Sequence, residues 1–102
     1  DQPAIIDPDG YQAWYKNGQL HRDNDQPAVI YANGSQHWYK NGQLHRDQDQ
    51  PAVIWADGYQ SWYKNGQLHR DNDPLTGNDQ PAVIYPDGTR YWYKNGERYY
   101  PN

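Results

Sequence analysis

The sequence predicts an all-β protein, an elongated antiparallel sheet of stacked β-hairpin repeats in the manner of a β-solenoid. Three observations predict it. A 24-residue segment recurs four times in the 102 residues, each copy carries two Asp-Gly or Asn-Gly dipeptides, and short runs of β-branched and aromatic residues lie between them.

Residues 1–24, 25–48, 49–72 and 79–102 align on the consensus D-Q-P-A-V-I-x-x-D-G-x-Q-x-W-Y-K-N-G-Q-L-H-R-D-N, with a six-residue insert at 73–78. The whole of 1–102 therefore reads as one repeat domain. The nonapeptide W-Y-K-N-G-Q-L-H-R is unchanged in the first three copies. One hairpin pair is too small to bury its own face, so stability has to come from the copies on either side.

The dipeptides Asp9-Gly10, Asn33-Gly34, Asp57-Gly58 and Asp87-Gly88, and again Asn17-Gly18, Asn41-Gly42, Asn65-Gly66 and Asn95-Gly96, tolerate positive φ and predict two-residue type I′ hairpins. Two-residue loops set Trp14 opposite His21 and Tyr15 opposite Leu20 across the Asn-Gly turn. Across the Asp-Gly turn they set Ile5 opposite Trp14, Ile6 opposite Ala13 and Ala4 opposite Tyr15. One face of the first unit then carries Ile5, Trp14 and His21, and the other carries Ala4, Ile6, Tyr15 and Leu20. Gly, Pro or Asn interrupts every window long enough for three helical turns. The polar D-N-D-Q-P run between copies, with its Pro, reads as the loop joining one unit to the next.

Composition narrows the function classes. There is no Cys, Met or Phe, but there are 11 Tyr and 5 Trp, so the core has to be aromatic. The net charge is −4 and the nine Lys and Arg are spread evenly, unlike a nucleic-acid footprint. Without Cys there is neither a disulfide scaffold nor a thiolate metal site. No stretch is apolar enough to span a membrane. No signal peptide is legible, and a start on Asp1 rather than Met is expected of an excised, processed or engineered segment.

The pattern G-x-x-x-W-Y-x-N-G-x-x-H followed by D-x-P-A, carried by Gly10, Trp14, Tyr15, Asn17, Gly18 and His21 and their counterparts, resembles MORN-type repeats, most closely the divergent variant of phage, giant-virus and bacterial proteins. The chain departs from a typical unit at Gln12, where that family has Gly. The resemblance covers essentially the whole chain. It implies an elongated sheet of stacked hairpins used as a scaffold or protein-binding surface.

Three sets of residues are candidates for chemistry. His21, His45 and His69 repeat on one face, but copies two strand spacings apart lie about 10 Å from one another, too far to share one zinc. Packing on Trp and bonding to a backbone or Asp group is the simpler role. The acidic links Asp23-Asn24-Asp25, Asp47-Gln48-Asp49 and Asp71-Asn72-Asp73 lack the spaced ligand run of a calcium loop and read as turn and ion-pair residues. Positions 7, 11 and 13 of the unit vary within a fixed frame, and they supply the candidate binding surface: Tyr11, Tyr31, His37, Trp55, Tyr59, Tyr85 and Tyr91. No catalytic, cofactor-binding or metal residue is assigned. Glu97 is the only Glu, and no hydroxyl sits in a recognisable nucleophile motif.

The fourth copy departs from consensus at Glu97, Arg98, Tyr99, Tyr100 and Pro101, as a terminal cap would. The reading is therefore a non-enzymatic structural or protein-interaction module without cofactor. Its expected partners are another protein or, through open sheet edges, itself. The alternative is an aromatic-cage module for carbohydrate or choline, of the cell-wall-binding type. Fidelity among the copies fits an engineered scaffold, while the insert and the irregular positions fit a natural phage, viral or bacterial chain.

Overall fold

The structure, a computed structural model, describes residues 2–101. Every regular element in it is a strand. The first unit contains β1 (Ile5–Ile6), β2 (Gln12–Ala13), β3 (Tyr15–Lys16) and β4 (Gln19–Leu20). The second repeats them as β5 (Val29–Ile30), β6 (Gln36–His37), β7 (Tyr39–Lys40) and β8 (Gln43–Leu44), and the third as β9 (Val53–Ile54), β10 (Gln60–Ser61), β11 (Tyr63–Lys64) and β12 (Gln67–Leu68). The fourth has β13 (Val83–Ile84), β14 (Arg90–Lys94) and β15 (Glu97–Tyr99). Nine strands form one antiparallel sheet in the order β1-β2-β5-β6-β9-β10-β13-β14-β15, and β3-β4, β7-β8 and β11-β12 form separate hairpins. The molecule measures 47 × 29 × 23 Å, the elongated stack of hairpins that the repeats predict.

Two turns of different construction shape each unit. The Asn-Gly turn has the expected form: Asn17 and Gly18 sit at φ 54° and 76°, Tyr15 pairs with Leu20, and the His21 amide donates to the Trp14 carbonyl at 3.0 Å. The Asp-Gly turn does not. Ile5 pairs with Ala13 and Ile6 with Gln12, so the loop holds three residues, not two, and the predicted pairs Ile5–Trp14, Ile6–Ala13 and Ala4–Tyr15 are each displaced by one residue. Gly10 N–H closes a β-turn on the Asp7 carbonyl at 3.0 Å, Asp7 N–H bonds Tyr11 across the loop, and only Gly10 takes positive φ, at 106°. This is a type I turn completed by a glycine bulge. Pro8 and Pro86, at the second turn position, are already preset for it.

The displacement decides the faces. One cross-strand row runs Ile5, Ala13, Val29, His37, Val53, Ser61, Val83 and Tyr91, and the other runs Ile6, Gln12, Ile30, Gln36, Ile54, Gln60, Ile84 and Arg90. From Ala13 to Val83 the first row is buried, while the Ile–Gln row stays half-exposed through Ile84. Ala13, His37 and Ser61 alternate with Val in the buried row, and the small side chains of Ala13 and Ser61 let the larger rings of neighbouring rows close over it.

Trp14, Trp38 and Trp62 make the corner between the sheet and the hairpins. Each donates its backbone N–H to the alanine carbonyl of the next unit, at Ala28, Ala52 and Ala82, and accepts with its own carbonyl from His21, His45 and His69. Their indoles are buried, with Arg22, Arg46 and Arg70 guanidinium carbons 3.6, 3.7 and 4.0 Å from the ring centroids. The hairpins also touch: Gly42, Gly66 and Gly96 donate to Leu20, Leu44 and Leu68 of the preceding unit. In the fourth unit Trp92 pairs directly with Tyr99 inside the longer β14, and the corner disappears.

Candidate binding surface

The side chains at positions 7, 11 and 13 share one face, because alternation in the observed register puts them there with the buried row. Across each Asp-Gly loop, positions 7 and 11 are neighbours through the bonds Asp7–Tyr11, Tyr31–Ser35, Trp55–Tyr59 and Tyr85–Thr89. The resulting row reads Asp7, Tyr11, Tyr31, Ser35, Trp55, Tyr59, Tyr85, Thr89. Ser35 is fully buried, and over it Tyr31 stacks on Trp55 with centroids 5.8 Å apart and planes at 27°. Ser35 Oγ accepts the Ala56 amide at 2.8 Å, tying the two units beneath the rings.

The predicted surface residues come together in two ring-contact groups. Tyr11 meets Tyr31 at 5.5 Å, and His37 meets both Tyr31, at 5.1 Å, and Trp55, at 4.8 Å. Tyr59 meets Tyr85 at 5.1 Å, and Tyr85 meets Tyr91 at 5.8 Å. The backbone bond from Trp55 to Tyr59 sets the groups side by side in one strip. Within it the roles differ. Trp55 and Tyr85 are 38% and 40% exposed, whereas His37 is buried below the rings. Burial lowers the His37 pKa, and its Nε2 has no hydrogen-bond partner among the described residues. Burial, followed by the neighbouring phenols of Tyr31 and Tyr15 and the carboxylate of Asp7, raises the pKa of Tyr11.

Charged groups that the composition gave no reason to single out sit at both ends of the strip. At the first unit, Asp7, Asp9, Tyr11, Tyr31, Ala32 and Asn33 line an open hollow of about 430 Å³. At the fourth unit, the Arg98 guanidinium lies 4.2 Å over the Tyr91 ring. The sequence signal was a break in pattern. Asp7 stands where later copies have Tyr31, Trp55 and Tyr85, and Arg98 stands where earlier copies have Leu20, Leu44 and Leu68.

The other repeated feature is architectural. Two small clefts, of about 180 and 130 Å³, lie between units 1 and 2 and units 2 and 3 and are lined by the His, Arg and Asp residues of the links. His21 Nδ1 accepts the Asn41 amide at 3.0 Å, which leaves the proton on Nε2, 2.8 Å from Asp23 Oδ1. His45 and His69 do the same with Asn65 and Asp47 and with Asn95 and Asp71. These are the Asp and backbone bonds expected from the sequence. The bond to His holds each of Asp23, Asp47 and Asp71 below the usual carboxylate range. Among the described residues no three His, Asp or Glu side chains converge in a metal-holding geometry. Tyr99, in the His slot of the last unit, donates to Asp79 at 3.0 Å, and burial together with that carboxylate raises its pKa to about 12. No protein-family model matches the chain, and no curated protein matches it.

Proposed function

We propose that the chain is a non-catalytic repeat scaffold of MORN-like character whose aromatic strip is the docking face for a protein partner. One observation carries this reading. The invariant residues of the repeat are consumed in stacking the units, while the variable positions converge on one face as contacting rings, two of them more than a third exposed. The test is selection of binding peptides from a random library, followed by binding to a Trp55→Ala/Tyr85→Ala variant that keeps its melting temperature. Selected peptides should lose at least about tenfold in affinity, as removal of anchoring rings does. Peptides that map instead to the clefts around His21 and Arg46 would overturn the reading.

The stacked Tyr31–Trp55 pair gives a specific reason to keep a second reading, a platform for a sugar ring or a choline headgroup. A glycan and choline titration followed by Trp fluorescence separates the two, since a protein-docking face gives no saturable response. Self-association is proposed at β1, whose Ile5 and Ile6 are 38% and 62% exposed on an open sheet edge. Sedimentation as a monomer at high concentration would exclude it.

A further inference from the structure

Resting on the docking reading, the strip has a direction. Its unit-1 end carries the Asp7 and Asp9 carboxylates beside Tyr11 and Tyr31, and neither carboxylate has an ion-pair partner among the described residues. Asp9 Oδ1 accepts the Tyr11 amide, which leaves its second oxygen available. At the unit-4 end, Arg98 is exposed and lies on Tyr91, with no carboxylate within ion-pair distance among the described residues. Between the two ends run Tyr31, Trp55, Tyr59 and Tyr85, none of them formally charged. Asp57 and Asp87 repeat Asp9 at the loop tips of units 3 and 4, so the two ends differ through Asp7, which stands in the row of rings where later units have Tyr31, Trp55 and Tyr85, and through Arg98. Along that row the strip is anionic at one end, aromatic through the middle and cationic at the other.

We infer that this strip takes an extended segment of a partner protein with a basic side chain at one end, seated in the Asp7–Asp9–Tyr11–Tyr31 hollow, and an acidic side chain at the other, paired with Arg98. The hollow offers a carboxylate and a ring face together, which suits Lys or Arg. The span fixes the spacing. Tyr11 precedes β2 and Tyr91 lies within β14, the second and eighth strands of the sheet. Six strand spacings make about 29 Å, and an extended chain covers that distance in about nine residues.

The probes are two capped peptides of about ten residues with the same composition. One has Lys and Glu at its two ends with alternating Leu and Ser between them, and the other has Lys and Glu adjacent at its centre. Binding is followed by amide chemical shifts of the full chain. The end-charged peptide should bind about tenfold more tightly, the sum of two partly exposed charge pairs, and should shift residues 7–11, Tyr91 and Arg98. That advantage should vanish in Asp7→Asn/Asp9→Asn and in Arg98→Leu. Neither variant endangers the fold. Asn33 already makes the Asp9 turn bond in unit 2, and Leu20, Leu44 and Leu68 already fill the Arg98 slot. Equal binding of the two isomers overturns the polarity and leaves the docking face standing. Binding by neither also overturns the polarity, whereas the docking face answers to the library selection above.

Discussion

Two kinds of link join the units, and they deliver the next copy to the same place. Between units 1 and 2, Asn24 and Asp25 both take left-handed φ, 63° and 56°, as do Gln48 and Asp49 between units 2 and 3, at 62° and 56°. Between units 3 and 4 six extra residues intervene, and no non-glycine residue of that link takes positive φ. Yet Arg22, Arg46 and Arg70 reach the carbonyls of Pro27, Pro51 and Pro81 alike, at 3.1, 3.1 and 3.0 Å. The insert folds on itself through Asp73–Asn78 and Gly77–Asp73 backbone bonds and leaves Leu75 almost wholly exposed. The Arg–Trp–Pro contact is thus the same at all three joints, and the link adapts around it. The tight link accepts backbone strain, of order 1 kcal/mol or more per residue, while the long one accepts loop entropy.

Breaking the contact should have the largest effect. Arg46→Ala loses the stack on Trp38, both bonds to Asp25 and the bond to Pro51, and should cost about 2–3 kcal/mol in chemical denaturation. Arg70→Ala should cost about 1 kcal/mol less, because Gln80 separately ties Asp49 to the Asp71 carbonyl at the insert link. Equal losses would show that the insert adds no tie of its own.

Deleting residues 73–78 recreates the His-Arg-Asp-Asn-Asp-Gln-Pro link of units 1 and 2. The chain should fold with the same circular dichroism and lose about 1 kcal/mol, less than either arginine variant. A larger loss would mean that the insert, not the Arg–Trp–Pro contact, positions unit 4.

Acid should act on every link alike. Asp23, Asp47 and Asp71 have lowered folded pKa values, so their contribution is complete above the ordinary value of 3.8 and is lost as pH falls through the lower folded one. His37 behaves differently. Its lowered pKa means that stability begins to fall below the ordinary value of 6.5, and His37→Ser, the residue at the same position in unit 3, should remove that earlier phase. Melting temperature measured from pH 7.5 down to 2.5 resolves the two phases.

The smallest effect is a gain. Gln48 is the one non-glycine link residue at positive φ that is neither Asn nor Asp, and Gln48→Gly should stabilise by about 0.5–1 kcal/mol. An unchanged melting temperature would show that the left-handed turn carries no strain.

The repeat, the Asn-Gly turn and the opposition of Trp14 to His21 were legible because each depends on local residue chemistry. The Asp-Gly register was not, because Asp-Gly suits two loop lengths. Pro8 and Pro86 were the residues that distinguish them. The left-handed links were illegible for a related reason: Gln48 would not be chosen for such a backbone unless a neighbouring Arg–Asp pair held it there. The aromatic rings were legible as the positions that vary inside the fixed frame. The charged ends of the strip were not legible, because Asp7 stands out only as a break in the aromatic series at its position and Arg98 only as part of the cap, and neither requires the two to share a face.

Each unit hands its successor the same set of bonds that it received, with a tryptophan amide given forward and a glycine amide given back. A polymer joined in this way behaves as a ruler. Duplicating or excising one copy changes its length by about 10 Å, two strand widths, without redesign of any joint. Because the rings that mark the ruler's face neither give nor accept those amide bonds, duplication can lengthen the molecule while mutation rewrites the rings, as separate evolutionary acts.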